Sequence, residues 1–155
     1  LWNASVLAAS NLAEAKFRLS RTSDDLEFRG ESRKHGHDWE LEGDVFYRRY
    51  FGTFFHLVGG FTSFGEHQRG TAGAGFRLPM LMEVHGLVDH KGDFRLDLER
   101  QFRWWKYVFT DAEARFRSGE KPEFTATLMY GPSWHWAAGL VFTQEKWGGG
   151  LRFRF

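Results

Sequence analysis

Apolar and polar residues alternate one for one along most of this chain. Phe94, Leu96 and Leu98 alternate with Arg95, Asp97 and Glu99, and Leu151, Phe153 and Phe155 alternate with Arg152 and Arg154. A period of two puts the two sets on opposite faces of a strand. The same grammar places Phe17 and Leu19 against Lys16 and Arg18, Leu26 and Phe28 against Glu27 and Arg29, and Leu41 and Val45 against Glu40, Glu42 and Asp44. It predicts about twelve strands, over residues 3–9, 12–20, 25–33, 38–49, 53–63, 70–78, 80–89, 93–102, 105–116, 122–130, 133–143 and 147–155. The first alternates least well. Strands of about 9 to 11 residues suit a tilted crossing of a bilayer, whereas strands of soluble proteins cluster near about 5 to 6.

The connections alternate in kind. Tyr50-Phe51-Gly52, Leu78-Pro79-Met80, Arg103-Trp104-Trp105 and Gly131-Pro132-Ser133 are short and aromatic-flanked. Between them fall more polar and often longer connections at residues 34–37, 64–69, 90–92, 118–121 and 144–146. An outer-membrane barrel has short periplasmic turns, longer outside loops and aromatic girdles at both interfaces. The two sets therefore predict a transmembrane antiparallel up-and-down β-barrel spanning residues 1–155 as one domain. Both termini would be periplasmic, with an even strand number, twelve or alternatively ten. A start at Leu1 without a leader is expected of a processed or trimmed chain.

Composition changes the picture in two ways. The 155 residues hold 21 Lys+Arg and 20 Asp+Glu, a net charge of +1 that recruits no nucleic acid, and the absence of Cys removes disulfides and thiolate sites. Aromatic residues make up 18%, and 18 Gly stand beside 3 Pro, a balance suited to an all-β chain. If the apolar set faces outer-membrane lipids, the charged set must line the lumen. The expected lumen residues include Glu83, Asp89, Arg95, Asp97, Glu99, Asp111, Glu113, Arg115, Arg152 and Arg154, with His56 and His85 on the same parity. Acidic residues of the fourth, eighth and ninth strands should reach Arg of the third, sixth and twelfth, leaving either a narrow wet passage or a plug of crossed side chains. The opposite arrangement, a soluble sandwich or lipocalin-like barrel with its apolar face inside, is the competing reading of the same alternation.

The last strand ends on Phe155 with Phe153 two residues earlier, which resembles the terminal signal read by the outer-membrane barrel assembly machinery. Residues 46–60 carry Tyr47, Arg49, Phe54, Leu57 and Gly60 in a strand-turn-strand that resembles the Tyr-x-Arg…Phe-x-x-Leu-x-x-Gly segment of the copper resistance protein B family. Residues 83–99 and the ending Gly150 to Phe155 also resemble it. The resemblance implies an outer-membrane barrel working beside periplasmic metal-handling proteins, with copper or another divalent metal ion as its cargo. The methionines are only Met80, Met82 and Met129, so little thioether chemistry supports copper here.

Histidine carries the independent chemistry. His35 and His37 are spaced i, i+2 in one outside connection, and His67 and His90 fall in the next two, so four imidazoles ring one mouth where Glu66 or Asp38 can complete a metal shell. His56, His85 and His135 share inward parity with Glu83, Asp89 and Met129, a second ion station inside the lumen. An outer-membrane hydrolase is the rival from another class. Its candidates are thin. Ser133 and His135 share a strand at i, i+2 but fall at the periplasmic end, Ser63 near His67 has no evident orienting acid other than Glu66, and the short outside loops leave little to form a cleft. A third reading makes the barrel an anchor or scaffold for a larger envelope assembly. The leading expectation is passive passage or handling of a small ion.

Overall fold

A computed structural model describes residues 1–155 apart from Gly36, His37, Gly65, Glu66, Trp134 and Glu145, and describes His35, Ser63, Phe64, His67, Gln68 and Leu81 by their backbone alone. The alternating segments form β1 Trp2–Ala9, β2 Leu12–Ser20, β3 Asp24–His35, β4 Asp38–Tyr50, β5 Phe55–Phe64 and β6 His67–Leu78. They continue as β7 Met82–Asp89, β8 Phe94–Trp105, β9 Val108–Arg117, β10 Glu123–Tyr130, β11 Trp136–Thr143 and β12 Lys146–Arg154. Each strand pairs antiparallel with its neighbours in sequence, and β1 pairs with β12 from Ser5↔Arg154 to Ala9↔Gly150, closing the sheet into a barrel. Closure leaves no unpaired edge, which is what allows an all-β chain to sit in lipid. The strand number is twelve rather than ten.

Several strand ends differ from the alternation pattern by one to three residues, and at three places the local reason is plain. Pro79–Leu81 is a single 3-10 turn with Met80 at φ +67°, so the seventh strand starts at Met82 and not at Met80. The eighth strand runs on through Trp104 and Trp105, with a register shift between Arg103 and Trp105. There Trp104 stacks on Phe102 and donates to Thr110 Oγ1 at 2.9 Å, and the turn moves to residues 106–107. His135 and Ser133 lie in an exposed bend ahead of β11 rather than within it. The β2–β3, β4–β5, β6–β7, β8–β9 and β10–β11 turns share the rim that carries both termini, and the other six connections form the opposite rim.

The two faces are inverted relative to a soluble barrel. Leu41 and Phe61, on the outer face, are 70% and 68% exposed, while Arg115, on the inner face, is 1% exposed. Val6, Phe17, Phe28, Leu57, Leu128 and Leu140 continue the exposed apolar belt. Such a surface is far larger than the apolar patches soluble monomers tolerate, so the lipocalin-like alternative does not hold. Among the described residues, buried apolar side chains form two clusters inside. Leu7, Leu12, Met129, Ala137 and Val141 form one, and Phe46, Val58 and Leu87 the other.

Candidate functional site

The lumen is the site, and its geometry follows from strand parity. On β2, β3, β4, β8 and β9 many inward positions are occupied by long charged side chains, joined by Glu123 of β10, and these meet across the barrel. β3 and β9 stand opposite one another in the closed ring. Arg29 of β3 nevertheless donates through Nη2 to Glu113 Oε2 of β9 at 2.5 Å. Its Nε lies 3.0 Å from Glu14 Oε1, and its Nη1 is 3.6 Å from Glu99 Oε1. Arg115 is the second hub: it donates to Glu42 Oε2 and to Glu113 Oε1, each at 2.9 Å. It also lies within 3.6 to 3.7 Å of Glu31, Asp97 and Glu123. Arg33 donates to Glu123 at 2.6 Å and to Glu31, while Arg95 chelates Asp97 at 2.9 Å and reaches Asp44 at 3.3 Å.

Burying so many ions is expensive unless each finds a counter-charge and its hydrogen bonds are directed. Here guanidinium forks and carboxylates do that for one another, and the result is a septum of ion pairs across the middle of the barrel. A cavity of about 400 Å³ opens on the terminus-bearing side, lined among others by Lys16, Arg18, Glu83, Glu99 and Arg152. A smaller one of about 80 Å³ lies toward the other rim, between Asp44, Arg69, Asp89 and Arg117. Asp89 also fixes the rim there: its Oδ1 accepts the backbone N–H groups of Lys91 and Asp93, its Oδ2 accepts from Arg69 at 3.0 Å, and Gly92 supplies the positive φ of that turn.

The residues expected in the lumen are there. Glu99, Glu113, Arg115, Arg95 and Asp97 belong to the septum or its border. Asp111 accepts from Arg152 and from Gln101, and Arg154 lies over the Phe109 ring at 4.8 Å. The expected pairing holds between β3 and β9, between β3 and β8 through Arg29 and Glu99, and between β12 and β9. It shifts elsewhere: Arg77 of β6 bonds Glu83 on adjacent β7, and Glu42 of β4 takes Arg115 and Arg117 of β9 instead of an arginine of β3. The reach of each side chain along the staggered wall decides this, and alternation does not record stagger.

The histidines divide. His56 and His85 are buried in the lumen with their Nε2 atoms 3.1 Å apart. His135 does not join them, since it is exposed on the terminus-bearing rim. Of the four rim histidines, His37 lies outside the described residues, and the side chains of His35 and His67 are likewise not described. Their strand ends and exposed His90 do share one rim. Among the described residues no three His, Asp or Glu side chains are gathered to hold a metal ion. Phe153 and Phe155 are exposed on the outer face of the closing strand and beyond its end.

Sequence reasoning missed Arg33 and Asp25, both inward and buried; the parity of Glu31 and Glu27 was the signal available for them. It also missed Asn11, which folds into the lumen mouth and donates to Thr143 Oγ1 and the Lys146 carbonyl. No periodicity marks a residue in a two-residue turn.

No protein-family model matches the chain, and no curated protein matches it. Solved structures do. A KdgM porin in complex with disordered oligogalacturonate superposes with a TM-score of 0.56 at 10% identity, over 99% of this chain and 98% of that one. A structure from work on the in-meso crystallization of membrane proteins gives 0.60 at 11% identity, over 99% and 83%. A Rhodopseudomonas blastica porin mutant gives 0.50 at 12%, over 94% of this chain and 56% of the porin. The resemblance to the copper resistance B family is not confirmed by any of these. What the likenesses share is the fold, a closed antiparallel β-barrel of outer-membrane type.

Proposed function

We propose that this barrel sits in the outer membrane with both termini periplasmic and serves the passive passage of small ions, with the ion-paired septum as its narrowest point. The observation that carries the reading is the inverted barrel itself. An apolar, aromatic-rich outer face encloses a charged lumen, and polar cavities open on both sides of the Arg29–Arg115 septum. Selectivity in such a pore is set by the charged rings it presents at close quarters. The KdgM and Rhodopseudomonas blastica structures are porins, which supports a channel over an enzyme.

The septum also bears on cargo size. In the KdgM structure the bound compound is an oligogalacturonate, a polyanion. Here the central guanidinium groups are engaged by carboxylates of this chain, so a large polyanion would have to break several buried pairs to pass. A small hydrated ion can exchange with them one contact at a time. Copper is the cargo implied by the resemblance at residues 46–60, and the shared rim of His35, His37, His67 and His90 would collect such an ion before entry. The terminal Phe153 and Phe155 would be read by the barrel assembly machinery.

A second reading has its own observation. Arg115, at 1% exposure, closes the centre tightly enough for the barrel to act as a scaffold for an envelope assembly. Planar-bilayer conductance separates the two. Small, discrete steps that grow when Glu113→Gln and Arg29→Gln are combined support passage. A silent bilayer for both the natural chain and that double variant supports the scaffold. Heat-modifiable gel mobility in detergent tests the barrel, and migration of an unmodifiable monomer without detergent would remove the membrane placement.

A further inference from the structure

The lumen-facing row Tyr50, His56, Gly75, His85 and Asp97 runs across five strands, because the registers pair each of these residues with the next. The glycine at its centre leaves a gap over β6. Both imidazoles lean into it until their Nε2 atoms are 3.1 Å apart, with the Tyr50 ring packed 4.9 Å from the His56 ring on the far side. A Cβ on residue 75 would stand 2.2 Å from His56 Nε2 and 2.5 Å from the His85 ring, so the absence of a side chain there is what lets the two rings meet. His56 is 1% exposed and His85 5%.

Two imidazoles that face each other through the same nitrogen either share one proton or share one cation. The 3.1 Å separation suits the second as well as the first: two metal–nitrogen bonds of about 2.05 Å would meet at an angle of about 98°. A carboxylate stands beside the pair without completing a three-residue cluster. Glu83 projects to the same face two residues before His85. Its Oε1 is held by Arg77 at 2.6 Å, and its Oε2 is 3.9 Å from His85 Nε2. Glu83 also lines the cavity of about 400 Å³, which gives an ion a route to the pair. Two imidazole nitrogens with the remaining positions left to water make a site that an ion can enter and leave.

We propose that His56 and His85, brought together over Gly75, form a transit site for a borderline divalent transition ion, Zn(II) or Cu(II), with Glu83 beside them as a carboxylate partner. The transit role rests on the passage reading, while the binding stands on its own. Imidazole donors select such ions over Ca(II) and Mg(II), which prefer all-oxygen shells.

The test uses the full chain in detergent, without a polyhistidine tag, in a background where His35, His37, His67 and His90 are alanine. Calorimetric titration with Zn(II) and Cu(II) should show one ion bound per barrel, and the spectrum of the bound Cu(II) should carry the electron paramagnetic splitting of two nitrogens. Calcium should not bind. The His56→Ala/His85→Ala variant should lose the site, and Gly75→Ala, which forces the rings apart, should weaken it tenfold or more, both with heat-modifiable mobility intact. Equal affinity in the double variant, or a Cu(II) spectrum of oxygen ligands alone, overturns the site. Bilayer conductance is read separately: binding without conduction overturns the passage reading and leaves the site standing, and conduction without binding does the reverse.

Discussion

On the wall formed by β10, β11, β12, β1 and the start of β2, many lumen-facing positions hold Met129, Ala137, Val141, Leu7 and Leu12, interspersed with Gly139, Gly148 and Gly150, while Glu14, Lys16 and Arg18 further along β2 belong to the charged side. Across from it, β3, β4, β8 and β9 hold Arg29, Glu31, Glu42, Asp44, Asp97, Glu113 and Arg115. Both regions are buried, Val141 and Met129 at 0% and Arg115 at 1% exposure. The first is packed by short side chains that stay near their own strands. The second is filled by long ones that reach strands on the other side of the ring. A lumen of twelve strands is too wide for short apolar groups to fill, so the space is divided: one flank packs like a core, and paired charges bridge what remains. The difference teaches that burial in this barrel carries no single chemistry. Apolar burial is stable residue by residue, but the septum is stable only as a set, since removing one member strands its partners.

That contrast can be broken most severely at Arg115. Arg115→Ala takes one of two arginine partners from Glu42 and from Glu113, which keep Arg117 and Arg29, and unfolding in detergent or lipid should show a loss of about 3 kcal/mol. A change below about 1 kcal/mol would mean that water already occupies the septum. On the apolar flank, Leu12→Ala should cost about 2–4 kcal/mol through lost burial and the cavity left behind, measured in the same way. Conductance should stay unchanged in that variant and rise for Arg115→Ala, which separates the walls by function as well as by stability. Next in size, a double-mutant cycle on Arg29→Gln and Glu113→Gln should return a coupling of about 1–3 kcal/mol, while a cycle between Leu12→Ala and Glu113→Gln should be additive within about 0.5 kcal/mol. The smallest effect is expected outside the lumen. Tyr47 donates to Asp24 Oδ1 at 2.6 Å on the exposed face, and Tyr47→Phe should cost no more than about 1 kcal/mol in the same unfolding measurement.

Much of the barrel was legible in the chain because a period of two is a strong local signal. β2, β3 and β8 follow from Phe17/Arg18, Phe28/Arg29 and Phe94/Arg95 without any long-range information. Departures occurred where local chemistry overrides periodicity. Met80 adopts a left-handed conformation beside Pro79, and the stacked pair Phe102 and Trp104 carries β8 past its expected turn. The lumen was legible as a set of residues but not as a set of contacts. Parity placed Arg77 and Glu42 inside; it did not say that Arg77 would turn to Glu83 on the next strand, or that Glu42 would cross to Arg115. The apolar flank escaped notice for a related reason. Leu7, Leu12 and Val141 face inward on poorly alternating stretches, where an apolar residue reads as outward.

The alternation and the aromatic excess by themselves determined an all-β chain of long, two-faced strands, because each is a property of single strands or of the total composition, whereas the outward turn of the apolar face was decided by the structure. Strand number and closure, the partner of each arginine, and the meeting of His56 with His85 over Gly75 were decided only by the tertiary structure. Those features depend on how strands are staggered around the ring, and stagger is set by the register of pairs far apart in the chain.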